Sequence, residues 1–301
     1  SWNDENLKIM LNYYEILERR KVKKEPKEVT EARELILSSF ADLKFYEEEH
    51  KYFIERNGVN VELPSVSSII HRFEPYTDWD SGKSKYAGRK CFTVEEFTKK
   101  WDENNIISTT RGSITHFWGE NAMNLLLGPV DKVKENMPMN YTKDGYLIPY
   151  SMKEEAIEKY YTDILNNDDV FPVIPEAKLY ANLNDTFKFH TEYAGTFDIL
   201  LAYRYKGEVV FAINDFKTNK SLINDYNRNF NVTMNEPFGS LGFINEPLST
   251  YTLQLSLYQI ALMQLGLKVV DRKLIWLKDD GTYEKFQTKD VTKTLIEYLS
   301  K

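Results

Sequence analysis

Two aspartates and a lysine stand where buried strands would be expected to carry apolar side chains. In YAGTFDILLAYRYKGEVVFAINDFKTNKS, residues 193–221, two apolar runs flank a turn at Lys206-Gly207. The first run carries Asp198 and the second Asp215, with Lys217 two residues further on. Burying such ions costs on the order of several kcal/mol each unless they pair or hold a cation. Two carboxylates against one ammonium leave a net negative pocket, which suits a hard divalent ion, Mg²⁺ or Mn²⁺, bound through oxygen. The two-residue period of a strand puts Asp215 and Lys217 on one face, so the lysine can reach a water or phosphate oxygen beside the ion. Such a set is equipped to hydrolyse phosphodiesters. The Asp-X-Lys pattern alone is weak, because Glu25-Pro26-Lys27, Glu49-His50-Lys51, Glu176-Ala177-Lys178 and Asp271-Arg272-Lys273 satisfy it too. The bland alternative is a structural Asp-Lys pair at a strand end.

The surrounding elements must position this set. Residues 3–43 look helical and highly charged, broken at KKEPKE, and read as an N-terminal helical appendage (1–43) ahead of a main domain (44–301). Asn57-Gly58 predicts a hairpin, with a short helix after Pro64-Ser65. Helical spacing follows over 94–105, over 111–127 with a stop at Gly128, and over 152–166 with a Ser151/Glu154 capping box. Four strands are then predicted, EAKLYANL, TFKFHTEY, GTFDILLAY and EVVFAIN. A long Asn-rich stretch, 219–249, leads to a helix over 250–265, strands KLIWLK and TYEKFQ, and a final helix. This order predicts an α/β fold, a mixed β-sheet flanked by helices. A single cysteine, Cys91, rules out an internal disulfide framework and any cysteine-ligated zinc or iron–sulfur site. Any metal must therefore be held by oxygen and imidazole. The net charge of -7 argues against a surface that coats polyanions generally, while leaving room for local basic groups.

Gly195-Thr196-Phe197-Asp198, a strand, a tight turn, a second strand and Asp215-Phe216-Lys217 together resemble the core of the PD-(D/E)XK nuclease superfamily. RGSITHFWGE, with Gly112 and His116 in GxxxH spacing, looks like the helix of its RecB-like exonuclease branch, and LQLSLYQIAL matches that branch's QxxxY helix at Gln254 and Tyr258. LPSVSSII is similar to a Pro-Ser-Val segment near the start of phage RecB-like exonucleases and of the mitochondrial genome maintenance exonuclease. The resemblance covers roughly residues 44–301. It implies a restriction-endonuclease-like core and a metal-dependent deoxyribonuclease. Asp198 and Asp215 would ligate Mg²⁺ or Mn²⁺ with the main-chain carbonyl of Phe216, and His116 would be a further ligand. Glu176 would support the metal shell through water; a solvated strand-start glutamate is its plain alternative. Lys217 would orient or deprotonate the attacking water, and Gln254 and Tyr258 would contact the scissile strand. Arg111 and Thr115 border the His116 helix and could touch phosphate. The family's iron–sulfur branches do not fit a chain with one cysteine.

The 219–249 stretch sets Lys220 and Arg228 among Tyr226, Phe230, Phe238 and Phe243, a mixture suited to stacking on unpaired bases while holding phosphates. A packed loop whose aromatics fill a satellite core is the alternative. The expected partner is DNA, single-stranded or with free ends, digested by an exonuclease of phage or mobile-element replication, recombination or repair. A structure-specific endonuclease, a catalytically inactive nucleic-acid-binding member and a metal hydrolase acting on small phosphoesters are the competing readings. No apolar run approaches the roughly 18 residues of a membrane span, and the polar opening SWNDENLKIM lacks a signal-peptide layout, so a soluble intracellular protein is expected, and the resemblance to phage-type exonucleases implies a bacterial cytoplasm.

Overall fold

The computed structural model describes residues 15–20, 24–77, 79–90, 92–127, 142–148, 151–183 and 191–300. Residues 15–20 are helical, and α1 (Lys27–Ser39) follows. An antiparallel meander of β1 (Leu43–Tyr46), β2 (Lys51–Arg56) and β3 (Val59–Leu63) comes next. The chain then forms α2 (Val66–His71), α3 (Trp79–Arg89), α4 (Val94–Leu127) and α5 (Lys153–Leu165). Next come β4 (Val170–Asn182), β5 (Glu192–Tyr205) and β6 (Glu208–Lys217), then α6 (Asp225–Asn229) and α7 (Pro247–Gln264). Last are β7 (Val269–Leu277), β8 (Tyr283–Gln287) and α8 (Thr292–Leu299).

Strands β4 to β8 lie in chain order in one mixed sheet, giving the α/β architecture that the order of elements predicts. Neighbours are antiparallel except β6 and β7, which are parallel. A parallel neighbour needs a crossover, and α7 supplies it. Leu253, Leu255, Leu257, Ile260, Ala261 and Leu262 of α7 are all buried, so this helix is apolar on most of its circumference and lies within the core. Each fully buried leucine contributes about 2 kcal/mol. Residues of α1, α2, α7 and α8 share one core with the sheet, and residues of α4 and α5 share a second with Ile199, Leu201, Phe216 and Ile275. The sheet therefore lies between two helical layers.

Both hairpin turns fall where the sequence places them. Asn57 and Gly58 have φ of 53° and 75°, and Lys206 and Gly207 have φ of 51° and 77°, the paired left-handed residues that match strand twist in a two-residue turn. Other expectations change. The two helices expected over 94–105 and 111–127 are one continuous α4, because the residues between them include neither the glycine nor the proline that would break it. Its expected stop at Gly128 lies outside the described residues. The Ser151/Glu154 capping box does not form: Met152 holds the N-cap position of α5, and the Glu154 carboxylate pairs with Arg111. Of TFKFHTEY, residues 186–190 lie outside the described residues and Glu192-Tyr193 open β5. Residues 1–14 of the expected appendage also lie outside it, and α1 packs Val29, Ala32 and Ile36 into the main core. No described helix is long and apolar enough to cross a membrane.

Candidate metal centre

Three adjacent strands bring a carboxylate to the same level of the sheet. Pro175 pairs with Ile199 and Ala177 with Phe197, which places Glu176 opposite Asp198. Ile199 pairs with Asn214, so one further step of that register sets Asp198 opposite Asp215. The backbone departs from regular strand here. Glu176 has φ of +44°, a left-handed conformation that costs a non-glycine residue on the order of 1 kcal/mol. Phe197 and Leu200 both enter the α7-side core, which strict two-residue alternation would forbid, so the pleat slips across Asp198. Asp198 Oδ2 accepts the Phe216 N–H at 2.7 Å, which ties the slipped residue to β6.

Helix α4 brings the fourth group. His116 Nδ1 lies 3.4 Å from Asp198 Oδ1 and 3.9 Å from Glu176 Oε1, and one ligand atom from each residue fits within 4.8 Å of the others. Gly112, one turn earlier, explains how the helix comes so close. A Cβ on Gly112 would stand 3.1 Å from Thr218 Oγ1, just beyond the end of β6. The GxxxH spacing therefore has a steric basis: glycine admits the strand end, and the histidine one turn on reaches the carboxylates. Gly195 has a similar role. A Cβ there would come within 2.8 Å of both Tyr258 Cε1 and Val66 Cγ2, so α7 and the Pro64-Ser65-Val66 segment close directly over β5. The Ala194 N–H donates to the Pro64 carbonyl at 2.8 Å across the same contact.

Charge at this centre is unbalanced. Burial alone would raise the Asp198 pKa, but the His116 charge and hydrogen bond, with Lys217 behind them, hold it down to about 2. Asp215 moves the other way, to about 7, through burial and the negative charge of Asp198. Glu176 rises to about 8 by burial and repulsion from Asp198, despite the His116 hydrogen bond. Burial disfavours a charged His116, yet Asp198 and Glu176 raise its pKa well above the ordinary value. Burial and mutual repulsion disfavour three anionic carboxylates at one level with only these two cations beside them. A divalent ion would relieve that conflict, so the donor set fits a hard metal. Glu176 and His116 keep 26% and 32% of their side-chain surface exposed, which leaves a route from solvent.

Lys217 is braced from several directions. Its Nζ lies 2.7 Å from Asp215 Oδ2, an ion pair whose angle departs from hydrogen-bond geometry, and it donates to Gln254 Oε1 at 2.7 Å. Gln254 Nε2 in turn donates to the Tyr258 hydroxyl at 3.1 Å. The Tyr251 ring lies 3.8 Å from the ammonium. Burial works against the charge, but Asp215, Tyr251 and Asp198 together raise the lysine's pKa, so it stays protonated. Gln254 and Tyr258, four apart on α7, thus reach the centre through Lys217. Tyr251 went unpredicted because its spacing from Gln254 is three residues in a helix that is apolar nearly all round.

Several residues expected to meet nucleic acid are otherwise engaged. Thr115 is fully buried and donates its hydroxyl to the Arg111 carbonyl at 3.1 Å, so its surface role is corrected. Arg111 grips both Glu154 oxygens and donates to the Ser151 carbonyl at 3.1 Å, which makes it a brace between α4 and α5. Arg228 holds Glu246 through two nitrogens, at 2.7 and 2.8 Å. Phe238 is buried in the core, as the packed-loop alternative expects. Tyr226 and Phe230 are 65% and 68% exposed with ring centroids 4.6 Å apart, and Lys220 borders a polar cavity beside Thr218. Neither the family models nor the curated proteins compared with this chain give a match.

Proposed function

We propose that this protein is a divalent-metal-dependent nuclease that hydrolyses DNA phosphodiester bonds, working as an exonuclease from single-stranded or frayed ends in phage or mobile-element DNA metabolism. One observation carries the reading: His116, Glu176 and Asp198 converge from three elements next to Asp215, while Lys217 points into the same set from a braced position. The bacterial cytoplasm is the compartment that goes with it.

Asp198, Asp215 and His116 would hold Mg²⁺ or Mn²⁺, with Glu176 directly or through a water and the Phe216 carbonyl completing the shell. A divalent ion held there would supply charge to polarise the scissile phosphate and acidify a neighbouring water. Braced by Asp215 and Gln254, Lys217 would orient or deprotonate the attacking water or reach a phosphate oxygen. Its charge opposes the negative charge that grows on phosphorus oxygens in the transition state, where a preorganised group is most effective. Gln254 fixes the rotamer of Lys217 and Tyr258 fixes Gln254, so the α7 pair acts by positioning.

Purified protein with Mn²⁺ or Mg²⁺, given end-labelled linear and covalently closed single-stranded DNA, tests this. Rapid shortening of the linear strand with little loss of the circle is expected. Comparable rates on both would reject the requirement for an end and favour an endonuclease. Cleavage of neither would reject the nuclease reading.

A further inference from the structure

Helices α3 and α4 pack together, and a cleft of ≈ 1090 Å³ opens between them and α6. Among the described residues its walls carry five cationic ones, Lys83, Lys85, Arg89, Lys90 and Lys100, and no acidic one. That is a strong local departure for a chain with a net charge of -7. Aromatic rings alternate with the cations. Lys83 Nζ lies 5.8 Å from the Trp101 ring and Lys100 Nζ 4.8 Å from the Phe92 ring. Tyr226, one half of the exposed Tyr226–Phe230 pair, closes the cleft on the α6 side.

Resting on the nuclease reading, we infer that this cleft binds an unpaired nucleic-acid strand and feeds it along α4 to the metal centre. Flat rings interleaved with ammonium and guanidinium groups match the alternation of bases and phosphates in a single strand. A duplex turns its bases inward and offers the rings nothing to stack on. The geometry links cleft and centre through one rigid element. Phe97, Trp101, Asn104 and Asn105 line the cleft on α4, Ile107, Ser108, Thr109 and Arg111 border the next cavity, and His116 enters the centre. Trp101 and His116 are separated by roughly 22 Å at 1.5 Å per residue. The strand would lie along this helix with its leading phosphate at Lys217. The second cavity, which Lys153 and Lys220 also line, lies between the two.

The test separates this inference from the reading beneath it. Binding of fluorescent oligo-dT, oligo-rU and a matched duplex is measured in EDTA across a salt series, for the native protein and for a Lys85→Ala, Arg89→Ala double variant. Both residues are exposed, so the variant is expected to fold, and an unchanged melting temperature checks this. Hydrolysis of bis-(p-nitrophenyl) phosphate with Mn²⁺ is measured alongside, because so small a diester does not reach the cleft. The expected result is a roughly tenfold loss of oligo-dT affinity at moderate salt, with the slope of log K against log salt shallower by about 1.4, that is about 0.7 for each lost phosphate contact. Small-diester hydrolysis should be unchanged. Equal loss on oligo-rU would mean that the cleft accepts either sugar. Unchanged affinity and slope, no strand binding by the native protein, equal binding of the duplex, or equal displacement of oligo-dT by polyglutamate would each overturn the assignment. Failure to hydrolyse the small diester, with cleft binding intact, would instead count against the nuclease reading.

Discussion

Buried carboxylates collect in two regions of this molecule, the sheet level at Asp198 and the inner face of α5. In both, burial pushes acids upward: Glu158 of α5 rises to about 8, as Glu176 does. The surroundings differ. Glu155 and Glu158 are three apart on one helix, and one oxygen of each has no hydrogen-bond partner among the described residues. The Glu158 carboxylate accepts the Trp118 indole N–H at 3.0 Å. Arg111 is nearby but occupied by Glu154. At the sheet level the acids arrive from separate strands, one of them through a left-handed backbone, and an imidazole and an ammonium face them. Buried acids alone therefore do not mark a metal site. At the sheet level the acids converge from independent elements, an arrangement that local chain geometry alone does not force and that fits a shared cation.

The contrast can be broken or sharpened by substitution, beginning with the largest effect. Lys217→Ala is expected to lower DNA cleavage by roughly a thousandfold while Mn²⁺ affinity stays within a few-fold, since a preorganised transition-state charge is lost and the ligands remain. Activity within a few-fold of the native rate would remove Lys217 from the chemistry. Next, Asp198→Asn should weaken Mn²⁺ binding by about a hundredfold, because a neutral amide replaces an anionic ligand, whereas Glu158→Gln should leave it unchanged. Calorimetric titrations giving the two variants the same affinity would erase the distinction between the regions. The smallest effect concerns α5 alone. Glu158 has a folded pKa of about 8, above its unfolded value, so the protonated acid favours folding below roughly pH 4.5 and that contribution is lost as pH rises towards 8. Urea unfolding should show native stability falling by about 1 kcal/mol per pH unit across this window relative to Glu158→Gln. Parallel profiles would mean that Glu158 is ionised in the folded protein throughout.

What could be read from the chain in advance follows from where the information is local. Asn57-Gly58 and Lys206-Gly207 announce their turns because left-handed dihedrals demand such residues. Asp198, Asp215 and Lys217 stand out because charges interrupt apolar runs, whereas His116 stands out only through the resemblance of its GxxxH helix to the RecB-like branch. Glu176 was placed only as a water-mediated supporter at a strand start, whereas it sits within β4; its left-handed backbone is imposed by neighbouring strands and has no local signature. The burial of Thr115 and the bracing of Arg111 have no local signature for a related reason. Helical spacing says which residues share a face, but not that α5 covers this one. In 219–249 Phe238 turns inward, while Tyr226 and Phe230 turn outward, and composition cannot say which ring turns which way.

The parallel pairing of β6 with β7 also sets an order of assembly. Strands β4, β5 and β6 are consecutive antiparallel neighbours, so their contacts close short loops and can form early. Strand β7 reaches β6 only after residues 218–268 have been laid out and α7 has packed. Glu176, Asp198 and Asp215 therefore meet in a young meander, before Gln254 arrives to brace Lys217. On that order of assembly, refolding followed by stopped-flow fluorescence is expected to be faster in mild acid or with a divalent cation, either of which relieves the adjacent acids before Gln254 supports Lys217.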